Sequence, residues 1–281
     1  MGRRGSAAVA LALGLALALA TAGGAAATDK GGEGPVAGAS IIAGGKANPA
    51  KWPFMATILR KGRLHCGGSI IAPTKILTAA HCVEDFKVSN LAVVVGRPNL
   101  TNRTVGEVIP AVAAVAHPDY RRTRVHDVGV ITLQQPTAYP AIALASPEET
   151  AAATVPGTHL RVAGWGARSI FGVNLASVLK RTTEQIRTNK RCRRVYRGIY
   201  VSRAMICALG KRVKRYGFPA IDSTACSGDS GGPMVADTPL GPREVGTVSY
   251  GGAFCGLSSA PTVYSRVSDS LGFINEQVAA P

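Results

Sequence analysis

Three separated segments contain the residue types that together can make an activated nucleophile. His81 stands in the sequence Ala-Ala-His-Cys, Asp127 begins an apolar run, and Ser230 lies in Gly-Asp-Ser-Gly-Gly-Pro. A serine hydroxyl is a weak nucleophile at neutral pH unless a neighbouring base removes its proton. A histidine can be that base when a carboxylate orients its ring. The three segments therefore predict nucleophilic chemistry, provided that the fold brings them together.

The elements that must position these residues are short β-strands. Only 17% of the residues are charged, 33 are glycine, and β-branched segments separated by Gly, Pro or Asn recur from Phe54 to Arg266. This composition is typical of an all-β fold with many turns. The pattern predicts no strand from 166 to 204. The spacing of apolar residues in 268–278 predicts a C-terminal helix.

The first 40 residues predict an export leader rather than part of the folded domain. Arg3 and Arg4 precede an apolar run from 7 to 20, and small residues follow to Ala27, as in a secretory signal peptide. The apolar run is too short to span a bilayer, which needs roughly 20 residues. Residues 1–27 are therefore predicted to be a signal peptide, and the Gly/Ala-rich stretch 28–40 a propeptide or spacer. We expect a secreted, extracellular protein without a transmembrane segment in its mature form, in which disulfides can form.

In this order and in these contexts, the three segments strongly resemble those of the trypsin/chymotrypsin family of serine proteases. The resemblance extends from about Ile41 to Val278, which is nearly all of the chain after the predicted leader. It implies two packed six-stranded antiparallel β-barrels with a C-terminal helix, the first barrel within 41–150 and the second within 151–281. The catalytic groups would lie in the cleft between the barrels.

The resemblance implies a role for each catalytic residue. His81 would take the proton of Ser230, and Asp127 would hold the imidazole in the required tautomer. The backbone N–H groups of Gly228 and Ser230 would form the oxyanion hole, which binds the oxygen that becomes negative during acyl transfer. The expected reaction is the hydrolysis of bonds in a peptide or protein substrate, without a cofactor.

Two neighbouring residues compete for these roles. His126 adjoins Asp127, but the Ala-Ala-His-Cys context belongs to His81, so His126 is interpreted as a bystander. Cys226 is not expected to be the nucleophile, because Ser230 occupies the catalytic position of the motif. The remaining histidines lack metal-ligand spacing, so no metal site is predicted. The alternative from another functional class is a catalytically silent homologue that binds an anionic surface, although no residue of the triad is lost.

The resemblance also implies disulfides and an activation step. It pairs the cysteines as Cys66–Cys82, Cys192–Cys207 and Cys226–Cys255. In this family a newly cut N-terminal amine pairs with the Asp before the nucleophile, which is Asp229 here. The spacing to Trp52 favours Ile41 as that terminus, whereas alignment on the following glycine pair favours Ile42. Ser40 precedes Ile41, so an activating protease that cuts after Lys or Arg is not implied.

The residues expected around the substrate predict which side chain precedes the scissile bond. The resemblance assigns substrate binding to Thr224, Ser249, Tyr250, Gly251 and Thr262, and Ser249 is expected to hydrogen-bond Asp127. Thr224 stands at the pocket floor, where a trypsin carries Asp, so a Lys or Arg charge would be poorly compensated there. Thr262 is expected to make the lower part of the pocket narrower than a glycine would. We therefore expect cleavage after medium or small uncharged residues. Trypsin-like cleavage after Lys or Arg is the alternative if a shifted loop brings Asp222 into the pocket.

The net charge of +16 is concentrated in one part of the chain. The segment from Lys180 to Arg215 contains 13 basic residues and a single acidic residue, Glu184. Such a cluster can bind an anionic surface or glycan, although a solvated face that aids solubility is the simpler interpretation. No nucleic-acid-binding motif accompanies the charge. We expect a monomer.

Overall fold

The computed structural model describes residues 41, 43–215, 218–257 and 259–281. The predicted signal peptide, the predicted propeptide and the alternative terminus Ile42 lie outside these residues. Most regular structure in the described chain is β-strand, and one of the helices follows the last strand. Among the helices of this described part, none is long and apolar enough to cross a membrane.

The elements are named in chain order. The strands are β1 (Gly45–Lys46), β2 (Met55–Arg60), β3 (Arg63–Ala72), β4 (Lys75–Thr78), β5 (Leu91–Val95), β6 (Glu107–Ala116), β7 (Gly129–Leu133), β8 (Ala143–Leu144), β9 (His159–Gly164), β10 (Lys180–Ile186), β11 (Met205–Gly210), β12 (Arg212–Arg215), β13 (Phe218–Asp222), β14 (Pro233–Thr238), β15 (Gly241–Tyr250) and β16 (Thr262–Arg266). The α-helices are α1 (Tyr120–Thr123), α2 (Pro147–Ala153), α3 (Asn189–Val195) and α4 (Leu271–Ala279).

Strands β2 to β7 close the first barrel in the order β2-β3-β4-β7-β6-β5, with antiparallel pairing throughout. Its interior contains fully buried aliphatic side chains, among them Ile58, Ile70 and Ile131. Branched side chains of this kind fit a pleated surface, and burying each contributes roughly 1.5–3 kcal/mol. The barrel therefore provides a rigid frame for the loops that leave it.

The second barrel closes in the order β9-β10-β11-β16-β15-β14 through the pairing of β14 with β9. Its core includes Leu160, Ile206, Val245 and Tyr264. Strand β1 pairs with β10, the short β8 runs parallel to β15, and β12 and β13 form a separate hairpin. The predicted pair of six-stranded antiparallel barrels with a C-terminal helix is confirmed.

Strand β10 lies in a stretch where the sequence pattern predicts no strand. Its buried residues are Thr182, Glu184 and Ile186, so the alternation of apolar and polar residues that identifies a half-buried strand is absent. The strand forms because it pairs with β9 on one side and β11 on the other, which satisfies its backbone. Helix α3, also unpredicted, begins where the Thr188 hydroxyl accepts a hydrogen bond from the N–H of Arg191 at 3.3 Å.

The barrels place the three motif segments at strand ends. His81 lies in a short 3₁₀ turn (Ala80–Cys82) after β4, and Asp127 precedes β7. Because β4 and β7 are paired, these two residues meet at one edge of the first barrel. Ser230 lies in the loop that leads into β14 of the second barrel. The candidate residues therefore come from both barrels.

Helix α4 returns from the second barrel to support the first. Its buried Ile274 packs in one cluster with Leu77 of β4 and Val128. The Lys75 ammonium donates a hydrogen bond to the Ala280 carbonyl at 2.8 Å, which fixes the end of the helix. Since Leu77 and Val128 are close in sequence to His81 and Asp127, this packing holds both segments in place.

Three disulfides tie down the loops around these segments. They join Cys66 to Cys82, Cys192 to Cys207 and Cys226 to Cys255, the pairs that the resemblance implies. No cysteine among the described residues is free. One bridge therefore anchors the turn of His81 and another the loop of Ser230, and such cross-links restrict the unfolded chain.

Candidate active site

Asp127 holds His81 through two hydrogen bonds. Its Oδ1 accepts from the backbone N–H of His81 at 2.9 Å, and its Oδ2 lies 2.7 Å from His81 Nδ1. Ser249 Oγ donates to the same Oδ2 at 2.6 Å. Because an ionised carboxylate can only accept, His81 Nδ1 carries a proton, and Nε2 of the neutral ring keeps its lone pair. The ring is thus prepared to act as a base at Nε2.

The Asp127 carboxylate is buried and nevertheless ionised. Burial pushes its pKa upward, but the hydrogen bonds with His81 and Ser249 outweigh burial and hold the pKa below its ordinary value. Asp127 is only 3% exposed, whereas the side chain of His81 is 31% exposed. A buried anion beside a partly exposed imidazole stabilises the imidazolium that forms when the ring takes a proton.

His126 interacts with a different set of residues. Its ring stacks on that of His117 with centroids 4.6 Å apart, and its Nδ1 lies 3.5 Å from an Asp269 carboxylate oxygen. Within the described chain, no hydrogen bond joins the His126 ring to Asp127. The geometry therefore favours His81 as the histidine that works with Asp127.

Ser230 lies in a tight turn with two unpaired N–H groups. Gly228 has a φ of +91°, a conformation that favours glycine, and the N–H of Asp229 donates to the Cys226 carbonyl at 2.9 Å. Considering all described residues, the N–H groups of Gly228 and Ser230 donate to no other protein group. Unpaired N–H groups in one turn can stabilise a negatively charged oxygen.

Two adjoining cavities bring these groups to one cleft. A cavity of about 200 Å³ borders Ser230, and a second of about 550 Å³ borders His81 and Asp127. Ser249 and Tyr250 line both cavities, so the two are neighbours. In the described chain no hydrogen bond joins Ser230 Oγ to the His81 ring. Such bonds are often long in free enzymes and tighten when substrate binds.

Asp229 is a buried carboxylate next to Ser230. Its Oδ1 accepts from the N–H of Gly166 at 2.7 Å and its Oδ2 from the N–H of Cys226 at 2.9 Å. Burial raises the pKa of Asp229 to about 7, although these two hydrogen bonds oppose the shift. A Cβ atom at Gly166 would lie 2.3 Å from the carboxylate, so this approach requires glycine. The Ile41 side chain is fully buried in the core of the second barrel.

The amino-acid sequence of the chain matches a known protein family. A family model described as Trypsin matches residues 41–274, which is most of the chain. The chain belongs to the trypsin family of serine proteases. The match begins at Ile41, the residue that the spacing to Trp52 favours as the mature terminus.

Relatives within the trypsin family carry different names. Trypsin of Saccharopolyspora erythraea is 33% identical over 242 residues, covering 85% of this chain and 99% of that protein. Serine protease 57 of Homo sapiens is 32% identical over 241 residues, covering 84% and 81%. Glucanase inhibitor protein 3 of Phytophthora infestans is 32% identical over 242 residues, covering 84% and 87%. Similar members of the family are thus named as proteases and as an inhibitor.

The smaller cavity brings together the residues that trypsin-family resemblance assigns to substrate binding. Thr224, Ser249, Tyr250, Gly251 and Thr262 all line it. Asp222 does not line it, and its carboxylate instead lies 3.2 Å from a guanidinium nitrogen of Arg212. Thr224 Oγ1 and Thr262 Oγ1 are 2.5 Å apart, so they share a hydrogen bond. The described wall of the cavity therefore has neighbouring hydroxyls and no carboxylate.

Sequence reasoning missed one residue close to this pocket. Glu184 lies inside the second barrel, and its Oε1 accepts a hydrogen bond from Thr224 Oγ1 at 3.0 Å. A lone acidic residue in the basic stretch from Lys180 to Arg215 was a visible signal. Its inward orientation, however, depends on β10, which the hydrophobic pattern does not predict.

The potential metal ligands near His81 already take part in other interactions. Cys66, His81 and Cys82 form the one group of close potential ligands in the part of the chain that the structure describes. The two cysteines are joined to each other, so they cannot supply thiolates. The group therefore offers His81 without the two cysteine thiolates.

The basic segment from Lys180 to Arg215 is divided among β10, α3, β11 and β12. Arg203 lies 3.8 Å from Asp269, and Arg212 pairs with Asp222. Helix α3 concentrates the exposed charge, with Lys190, Arg191, Arg193 and Arg194 at its surface. Four exposed basic residues of the segment therefore lie on this one helix.

Proposed function

We propose that this trypsin-family protein is a secreted serine endopeptidase whose catalytic residues are His81, Asp127 and Ser230. The observation that carries the proposal is the 2.7 Å contact between His81 and Asp127, beside a cavity that Ser230 lines. Family membership supports a peptide or protein substrate. The three disulfides and the predicted signal peptide support export.

Acylation follows from the directions of the hydrogen bonds. Ser230 Oγ attacks the carbonyl carbon of the scissile bond while His81 Nε2 takes the hydroxyl proton. The carbonyl oxygen becomes negative and is held by the N–H groups of Gly228 and Ser230. His81 then gives its proton to the leaving nitrogen, the C–N bond breaks, and the acyl group remains on Ser230. Asp127 stays ionised and stabilises the imidazolium throughout.

Deacylation repeats these roles with water as the nucleophile. His81 Nε2 takes a proton from a water molecule while the water oxygen attacks the acyl carbon. The bond to Ser230 Oγ breaks, His81 returns its proton to the serine, and the carboxylic acid product leaves. Each residue thus returns to its starting state.

Activation is proposed to require a cut before Ile41. The new ammonium group would pair with Asp229, whose carboxylate is fully buried with only backbone hydrogen bonds among the described residues. Burial raises the pKa of Asp229 to about 7, which disfavours its ionised form. A neighbouring positive charge would lower that pKa and fix the carboxylate in its ionised form. The ordered Asp229 would then hold the adjacent turn of Gly228 and Ser230.

The pocket supports a preference for medium or small uncharged side chains before the scissile bond. Its volume is about 200 Å³, and hydroxyls rather than a carboxylate line its described wall. Asp222, which trypsin-like cleavage would need, is occupied by Arg212 outside the cavity. A guanidinium in this pocket would lack a direct anionic partner, which is costly.

Hydrolysis of matched peptides tests this proposal. A chain that begins at Ile41 would be assayed with peptides that carry Leu, Val, Ala, Phe or Arg before the scissile bond. We expect kcat/KM for the Leu or Val peptide to exceed that for the Arg peptide at least about tenfold, because only the Arg peptide buries a poorly paired charge. Faster cleavage of the Arg peptide would contradict the proposed preference and favour the trypsin-like alternative.

The second candidate function is a catalytically silent protein that binds an anionic surface or glycan. Two observations favour it: a similar protein is named as a glucanase inhibitor, and α3 exposes a cluster of basic residues. The same peptide assay separates the two functions. If a folded chain that begins at Ile41 hydrolyses no peptide, the endopeptidase proposal is wrong and the binding function is favoured.

A further inference from the structure

Glu184 is a buried acidic residue that the proposed catalytic mechanism does not use. It lies on β10, is 0% exposed, and pairs across the strands with Leu160 of β9 and Gly210 of β11. The surrounding core is largely apolar. Burying a carboxylate in an apolar core costs free energy unless hydrogen bonds or nearby charges compensate for the lost water. The contacts of Glu184 therefore indicate what the residue does.

The contacts of Glu184 lead to the floor of the pocket beside Ser230. Its Oε1 accepts from Thr224 Oγ1 at 3.0 Å and from the N–H of Ala225 at 3.1 Å. Thr224 Oγ1 in turn shares a 2.5 Å hydrogen bond with Thr262 Oγ1. The Glu184 carboxylate also interacts with the buried Tyr264 hydroxyl. The carboxylate therefore stands one hydrogen bond behind the pocket wall.

These contacts fix the directions of both wall hydroxyls. A threonine hydroxyl has one proton, and Thr224 gives its proton to Glu184 Oε1. The hydrogen bond between the two threonines must then be donated by Thr262. Both protons are used inside the wall, so the hydroxyls present only acceptor lone pairs to the cavity.

We propose that Glu184 is a specificity-determining residue: it engages the hydroxyl protons of Thr224 and Thr262, so that these two wall hydroxyls cannot donate hydrogen bonds to the side chain before the scissile bond, and it thereby disfavours acidic residues there. This inference rests on the proposed function. An aliphatic side chain covers hydroxyls whose donors are already satisfied, which costs little. A carboxylate finds no donor in either threonine hydroxyl and faces the negative charge of Glu184.

The protonation of Glu184 adds a pH dependence to this exclusion. Burial raises its pKa to about 7, although hydrogen bonds with Tyr264, Ala225 and Thr224 oppose the shift. The titratable groups that interact with it are Tyr264 on β16, Asp229 in the loop of Ser230, and Arg187 just after β10. Below about pH 7 the charge of Glu184 is lost, so exclusion of acidic residues weakens as the pH falls.

The test uses three peptides that differ only in Leu, Asn or Asp before the scissile bond, since these side chains share a branched shape. The kcat/KM of each would be measured for chains that begin at Ile41: the wild type, Glu184→Gln and Glu184→Met. The Leu-to-Asp ratio is kcat/KM for the Leu peptide divided by kcat/KM for the Asp peptide. We expect this ratio to fall about tenfold in Glu184→Gln, which removes the charge of Glu184. A fall of about 100-fold is expected in Glu184→Met, which also releases the Thr224 proton toward the cavity.

Glu244→Gln is the matched control. Glu244 is equally buried in the second barrel, and its carboxylate accepts from Ser69 and Thr247 rather than from the pocket wall. This variant should keep the Leu-to-Asp ratio within about twofold of wild type, because it replaces an equally buried carboxyl group that does not contact the pocket wall. An equal fall of the ratio in Glu244→Gln would overturn the inference, since it would indicate a general effect of core charge.

A pH series supplies a readout that a structural role would not move. The Leu-to-Asp ratio cancels the pH dependence of the catalytic steps that both peptides share. The ratio should fall between pH 8 and pH 6 in the wild type and change less in Glu184→Gln. Asp229 is present in both proteins, so its titration cannot account for a difference between them. Unchanged ratios in a Glu184→Gln chain that still cleaves the Leu peptide would overturn the inference and leave the proposed function intact. Absence of wild-type cleavage of every peptide would instead overturn the proposed function, and this inference with it.

Discussion

Replacing Ser230 with alanine is expected to lower kcat for peptide hydrolysis by a factor on the order of 10⁶, the loss typical of removing a nucleophilic serine from such a triad. The variant keeps the His81–Asp127 pair and the N–H groups of the turn but has no oxygen that can form the acyl intermediate. The measurement is single-turnover and steady-state cleavage of a peptide with Leu before the scissile bond. Circular dichroism would verify the fold of the variant.

Residues that act as one unit should show strongly non-additive losses. His81→Ala alone should cost about as much as Ser230→Ala, and the double variant should lose little more than either. Ser202→Ala is the control, because its hydroxyl contacts Arg193 rather than any group of the cleft, and it should retain wild-type kcat. A Ser230→Ala chain that keeps more than a hundredth of the wild-type rate would show that another group is the nucleophile.

Replacing Asp127 with asparagine is expected to lower kcat about 10⁴-fold. The Asp127 carboxylate accepts from both the backbone N–H and Nδ1 of His81, and from Ser249. An amide cannot accept at all these positions, because one of its two terminal atoms is a donor. The ring would then be held with its proton on Nε2, where the base must be free. Peptide cleavage at pH 8 measures this loss.

Asp119→Asn is the matched control for this prediction. Its carboxylate is 49% exposed and lies 3.2 Å from Arg122 near the cleft, and exposed pairs of this kind contribute little. The control should keep kcat within about twofold of wild type. An Asp127→Asn chain that retains a tenth or more of the wild-type rate would contradict the role given to Asp127.

The two barrels and their cleft could be predicted from the sequence because short local motifs carry the resemblance to a family with that fold. The residues next to His81 and Ser230 are short motifs, and the predicted strands of the first barrel alternate or run as β-branched residues. The His126 ring contacts His117 and Asp269 rather than Asp127, which agrees with the interpretation of His126 as a bystander. These features depend on neighbours in sequence.

The residue behind the pocket could not be predicted because its environment comes from pairings between distant segments. Glu184 and Thr224 are separated by 40 positions and meet only because β10 closes the second barrel. The polar inward residues of β10 hide that strand from a search for apolar alternation. The same reason applies to Asp222, whose partner Arg212 lies across the unpredicted hairpin of β12 and β13.

The most direct test of the central claim is covalent labelling by a serine-directed phosphorylating reagent such as diisopropyl fluorophosphate. A folded chain that begins at Ile41 would be treated at pH 8, digested and mapped by mass spectrometry, with the untrimmed chain and His81→Ala as comparisons. We predict one label per chain, on Ser230, with much slower labelling in both comparison proteins because each lacks part of the assembled site. A folded, trimmed chain that takes no label, or takes it on another residue, would contradict the assignment of Ser230 as the nucleophile.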